Sequence, residues 1–293
     1  MEIKTFEELK KLTELTHQKV YQVAEETEAK ALEITVEEVR KRVKTHLDAM
    51  KNAIKRGLVS NEISISKMCG NDCEKLIKRY EKKSSLYSKT YQNIILYALA
   101  TSEENLRMGK IVACPTAGSC GIVPAAIAAV SEALNLTEED QINALLTAGI
   151  IGKIISVKMA LAGAVMGCQG ECGVASAMAA GAIVELQEGN TDEIIHAAAL
   201  AMKNIMGLVC DPVAGLVEVP CVKRNSFLAV HATVASELAL AGIKSVIPPD
   251  EVIDAVKQVG ELLSVSLKES SEAGLATTKT GKIIEENFQK QVL

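Results

Sequence analysis

Apolar side chains recur every three or four positions along most of this chain, the spacing of helices with one buried face. Phe6, Leu9, Leu12 and Leu15 form such a row within residues 5–57. Thr35 to Glu38 reads as a capping box, and the helix it starts carries the stripe Val36, Val39, Val43, Leu47, Met50 and Ile54 to a C-cap at Gly57. Residues 58–71 read as a loop, 73–83 as a helix, and Thr90 to Arg107 as another that stops at Gly109. From 110 the pattern changes. Residues 110–125 are a loop of small residues running into a helix, and 137–166 are a long buried helix or a broken pair that Thr137 caps. Helices follow at 171–187, 192–206 and 225–242, then from Pro248-Pro249-Asp250 to Gly260, and finally near 281–290. No alternating run longer than residues 111–114 suggests a strand. The prediction is an all-α protein, a multi-helix globular domain with close Ala/Gly-rich packing. It reads as a single domain, residues 1–293: charged helices over 1–108, an Ala/Gly-rich core over 109–245, and C-terminal helices over 246–293.

Composition sharpens this. Of 293 residues 48% are hydrophobic but only 3% aromatic, so the core must be built from Ala, Val, Ile, Leu, Met and Gly. Small side chains let helices approach closely and disfavour a β-sandwich. The net charge of −5 argues against a general nucleic-acid-binding surface. Residues 111–131 carry no charge, yet Pro115, Gly118, Gly121 and Pro124 break them. Lys153 and Lys158 break the apolar run 141–168, so no membrane insertion is expected. The first residues lack a signal-peptide core, which points to a cytoplasmic protein whose eight cysteines stay reduced.

Chemistry concentrates between Gly167 and Asn225. Cys168 lies in GCQGECG, Cys210 in GLVCDPV and Cys221 in VPCVKRN, each beside turn-forming residues. Thiolates are soft ligands that suit iron–sulfur clusters, zinc or copper(I), and the spacing matches neither zinc ribbons nor ferredoxins. Cys168, near a helix N-terminus, should have a lowered thiol pKa. Upstream, Thr116, Ala117, Gly118, Ser119 and Gly121 form a loop whose N–H groups and hydroxyls could cradle a small anion. Lys153 and Lys158 either snorkel to solvent or approach a substrate carboxylate. His231 reads as a satisfied core residue, and His17 and His46 as surface or interface residues. Cys69 and Cys73 read as free thiols. No role is assigned to Cys69, Cys73, Cys114, Cys120 or Cys172.

Four segments in order, PTAGSCGIVPA, GCQGE, GLVCDPV and VPCVKRN, resemble the α chain of the iron–sulfur, PLP-independent L-serine dehydratase. That resemblance implies a [4Fe–4S] cluster on Cys168, Cys210 and Cys221, with one iron free to act as a Lewis acid on L-serine. The products would be pyruvate and ammonia, with no PLP. It also implies a β chain as partner, expected to supply histidine and serine groups at the substrate, because no general base is evident here. No cysteine follows Cys221, whereas single-chain members can carry one near the C-terminus. A related cysteine-desulfidase-type lyase, a non-catalytic iron–sulfur or scaffold subunit, and a zinc-binding structural protein are the alternatives. The choice among serine, cysteine and threonine is not set by these motifs.

Overall fold

The computed structural model describes residues 3–82 and 85–292. Thirteen α-helices and no named strand are found among them, in agreement with the all-α prediction. The helix expected at 73–83 is observed as Asp72–Lys82, and position 83 lies outside the described residues.

The centre is α9 (Val174–Leu186), whose thirteen residues are all buried. It is apolar on every side because helices enclose it: α6 (Ile122–Leu134), α7 (Glu138–Lys158), α10 (Thr191–Lys203) and α11 (Cys221–Leu240). Glycine permits this density. A Cβ on Gly181 would stand 2.1 Å from Ile151 Cδ1, and one on Gly152 would stand 2.9 Å from Met178 Sδ. The stretch Ala117–Leu134 has the length and apolarity of a membrane span, but 72% of it is buried within the fold, as in the core helix of a globular protein.

The N-terminal helices share this apolar core. They are α1 (Phe6–Thr16), α2 (Val20–Leu32), α3 (Val36–Val59), α4 (Asp72–Lys82) and α5 (Lys89–Leu106). Thr35 caps α3 by accepting from Glu38 N–H at 3.2 Å. Gly57 does not end that helix. A Cβ there would lie 2.0 Å from the Ala100 carbonyl oxygen, so the glycine lets α3 press against α5, and α3 continues to Val59. Thr137 caps α7 in a reciprocal pair with Asp140. The predicted break in 137–166 is real: α7 stops at Lys158, and a short α8 (Gly163–Met166) follows. The chain closes with α12 (Pro249–Leu262) and α13 (Lys279–Val292). Phe6 and Glu7 N–H donate to Asp250 at 3.1 and 3.0 Å, which fastens the start of α1 to α12.

Both interior lysines reach carboxylates on neighbouring helices. Lys153 pairs with Glu28 at 2.8 Å and Lys158 with Asp254 at 3.2 Å. The snorkelling reading holds, and the substrate-carboxylate reading is withdrawn, because both ammonium groups are engaged outside the cysteine region. His231 Nε2 meets the Ala201 carbonyl at 2.9 Å and is satisfied within the core. His17 and His46 are exposed.

Candidate functional site

Three segments converge below the N-terminus of α9: the loop 110–121, the turn 163–173, and the segment 207–221 that leads into α11. Cys168 sits just before a π-helical turn, Gln169–Gly173. Gly167 makes this approach possible. Its φ is +71°, and a Cβ there would lie 2.9 Å from the Leu208 carbonyl oxygen. Gln169, 1% exposed, locks the junction. Its N–H donates to Leu208 O at 3.1 Å, its Oε1 accepts from Gly207 N–H at 2.9 Å, and its Nε2 donates to Val256 O on α12 at 2.9 Å. An amide satisfied at both ends of its side chain fixes the relative position of the Cys168 and Cys210 segments.

Cys210 is held by backbone bonds on both sides. Its N–H donates to Leu267 O at 2.9 Å, and its carbonyl accepts from Glu269 N–H at 2.7 Å. Cys221 is the first residue of α11, four positions before the predicted start, because the helix begins directly after Pro220. One turn later Asn225 joins two elements. Its Nδ2 donates to Cys221 O at 2.9 Å and to Gly118 O at 2.8 Å, and its Oδ1 accepts from Gly121 N–H at 2.9 Å. The small-residue loop is thereby pinned to the helix that starts with Cys221.

Cys168, Cys210 and Cys221, distant in sequence, are therefore brought within electrostatic reach of one another, and all three are buried. Cys172, also buried, interacts with Cys168. The neighbouring Cys172 thiol and the nearby Arg224 guanidinium, acting against burial, hold the Cys168 thiol below its ordinary range. The lowered value expected from a helix N-terminus is thus present, but its causes are the second thiol and the arginine. Cys172 is driven well above the usual range by its interaction with Cys168 and by burial. Burial also raises Cys210, and it pushes Cys221 up to about 12.

Two charged side chains overlooked in the sequence complete the site. Arg224 donates to Val209 O at 3.0 Å and lies 3.4 Å from Asp211, whose other oxygen accepts from Leu275 N–H at 2.9 Å. Glu171 lies against Gly163 and Gly118. It lies 4.0 Å from Cys210 Sγ, and burial raises its carboxyl pKa. Both residues stood inside quoted motifs, GECG and VKRN. The available signal was a charge embedded among glycine and cysteine, where a buried ion needs a partner.

The loop residues Thr116, Ala117, Gly118, Ser119 and Gly121 sit beside this cluster. Ser119 is fully buried and donates to Cys114 O at 3.2 Å, and the Thr116 hydroxyl lies 3.2 Å from Ser119 Oγ. A Cβ on Gly118 would stand 3.5 Å from Glu171 Oε2. A Cβ on Gly163 would stand 2.8 Å from that oxygen and 2.9 Å from Cys210 Sγ. Glycines thus line the space between the loop, the carboxylate and the thiols. No three His, Cys, Asp or Glu side chains among the described residues come close enough together to hold a single metal ion. The donor set is three buried sulfurs with an arginine beside one of them, which suits a sulfide-containing cluster more than a lone ion. Cys69 and Cys73 stand apart under α4 and α5, and Lys223 Nζ lies 3.4 Å from Cys69 Sγ.

Residues 15–276 match the family model described as serine dehydratase alpha chain. A probable L-serine dehydratase, alpha chain, of Bacillus subtilis is 42% identical over 286 residues, which is 97% of this chain and 95% of that one. The L-serine dehydratase, alpha chain, of Peptoniphilus asaccharolyticus is 39% identical over 273 residues, 93% and 94% of the two chains. L-serine dehydratase TdcG of Escherichia coli is 38% identical over 206 residues, 68% of this chain and 45% of that protein. The match runs through all four motifs that build the thiol site, and the chain belongs to the serine dehydratase alpha chain family.

Proposed function

We propose that this chain carries a [4Fe–4S] cluster on Cys168, Cys210 and Cys221 and, with a β chain, converts L-serine to pyruvate and ammonia in the cytoplasm. The observation that carries this reading is the gathering of three buried thiols from separate segments into one glycine-lined site. The family supports the iron–sulfur type of dehydratase over a zinc-binding structural protein.

When bound, the cluster would supply a Lewis-acidic iron that helps the serine hydroxyl leave. The protein's own groups do the rest. Arg224 offsets the negative charge of the ligating thiolates, which lets Cys168 lose its proton inside the fold. Cys210 and Cys221, held protonated by burial, must release protons as they ligate. Gly118 faces the space beside Glu171, and a substrate carboxylate cradled by the 116–119 loop would bind there in competition with that side chain. Asn225 and Ser119 hold the loop in place for this contact.

Loss of the α-proton and of the hydroxyl gives aminoacrylate, which tautomerises to an imine and hydrolyses to pyruvate and ammonia. None of the four histidines lies among the site residues described above, so the base that takes the α-proton is assigned to the β chain. The test is serine-dependent pyruvate release by the reconstituted chain, assayed with and without its β chain. The reading expects turnover only with both chains. Full activity from this chain alone would refute the division of labour, and no turnover from the pair would refute the activity.

A further inference from the structure

A pocket that none of Cys168, Cys210 or Cys221 lines lies elsewhere in the fold. It is open to solvent and offers about 530 Å³ between α2, α3, α7 and the segment 112–115. Its walls are mostly aliphatic, with Val39, Met50, Ile150 and Met178 among them. Gly149 of α7 borders it, and a Cβ at that position would meet nothing within 4 Å, so this is open space and not tight packing. The buried Cys114 lies at its floor. One part of the lining is polar. That polar part is Arg42 and His46, one turn apart on α3, both in the lining and both exposed. Arg42 is held only by a single 3.4 Å contact with Glu38 on its own exposed helix face. On another side the Lys153–Glu28 pair is internally neutralised.

A mostly apolar pocket of this size with a few polar groups in its lining matches the usual form of a small-molecule site. The charged lining residues Glu28, Arg42 and Lys153 sum to a positive charge, and a guanidinium held by one 3.4 Å ion pair to Glu38 can exchange it for a carboxylate held in two-point fashion. We propose that this cavity binds a small amphipathic carboxylate, its aliphatic tail among the α3, α7 and α9 side chains and its head on Arg42 and His46. An occupant would press directly on residues 112–115, which lead into the 116–119 loop.

The experiment uses the full chain and three probes of equal tail length: octanoate, octylammonium and octanol. Binding is read by calorimetry. Octanoate should bind at least about tenfold more tightly than either of the others, a difference of ~1.4 kcal/mol. Gly149→Leu, which fills the open space and favours the helix, should weaken octanoate binding at least about tenfold. Arg42→Gln should abolish the preference for octanoate over octanol. In the unaltered chain, octanoate should slow alkylation of Cys114 by N-ethylmaleimide, read by peptide mass spectrometry, while leaving Cys73 unchanged. Equal binding of all three probes, undiminished binding by Gly149→Leu, or unprotected Cys114 would overturn the proposal. So would loss of octanoate binding on assembly with a second polypeptide, which would make the cavity a protein–protein contact.

Discussion

Replacing Arg224 with Gln tests how the thiol site is held together. The guanidinium is only 14% exposed, and Asp211 beside it only 6%. The shorter, neutral amide could not reach both Val209 O and Asp211, and the carboxylate would remain buried without its counter-charge. Removing one partner of a buried pair costs about 3–5 kcal/mol. The Arg224–Asp211 separation of 3.4 Å is long, and Asp211 keeps the Leu275 N–H, so the lower end, about 3 kcal/mol, is the expected value. A chain of 293 residues unfolds with an entropy of about 0.6 kcal/mol/K, so the melting temperature should fall by about 5 °C. The assay is thermal unfolding of the cluster-free chain under reducing conditions, in a cycle with Asp211→Asn. Asparagine removes the stranded charge, so the double variant should be more stable than Arg224→Gln alone. If Asp211→Asn costs the same with and without Arg224, the two side chains are not coupled and the electrostatic account of the site fails.

Two further expectations follow from the packing and the charges. Gly163→Ala places a methyl group 2.9 Å from Cys210 Sγ and 2.8 Å from Glu171 Oε2, so one of them must move; overpacking of this kind costs about 1–3 kcal/mol. Iron bound after anaerobic reconstitution should drop severalfold while the helical circular dichroism stays unchanged, and full iron loading would show that the glycine is not part of the cradle. Burial opposes ionisation of Asp192, but ion pairs to Lys10 and Lys244 prevail and lower its pKa to about 2. Because the folded value lies below the ordinary one of about 3.9, its contribution is complete above about pH 4 and disappears as the pH falls through about 2. With screening at this partly exposed site, Asp192→Asn should cost about 1 kcal/mol at about pH 7, and the gap to the unaltered chain should narrow below about pH 4 in urea titrations. A gap that stays constant with pH would contradict the assignment.

Much of the fold was legible because local rules agreed with it. Thr35, Thr137 and Asn190 cap the helices that begin after them, and the Ala/Gly-rich core reads directly as close helix packing. The failures came where distant residues decide. Gly57 resembles a C-cap locally, and only the Ala100 carbonyl across the α3–α5 contact explains why it lies inside a helix. The sequence pattern starts α11 late because Cys221 looks like a turn residue, although Pro220 marks the boundary. The three cysteines stood out through their setting, yet nothing in their spacing indicated that Cys172 would stand beside Cys168 and perturb its thiol. The roles of Glu171, Arg224 and Asn225 arise from contacts with segments far away in sequence. A single chain's pattern of polar and apolar positions cannot encode which neighbour a charged side chain will meet.

The account rests on Cys168, Cys210 and Cys221 holding one cluster between them. Iron and acid-labile sulfide, measured on the anaerobically reconstituted chain and on its three single Cys→Ser variants, test that directly. The expected result is about four irons and four sulfides per chain, with less than about one iron in each variant. Full iron retention in any of the three variants would contradict it.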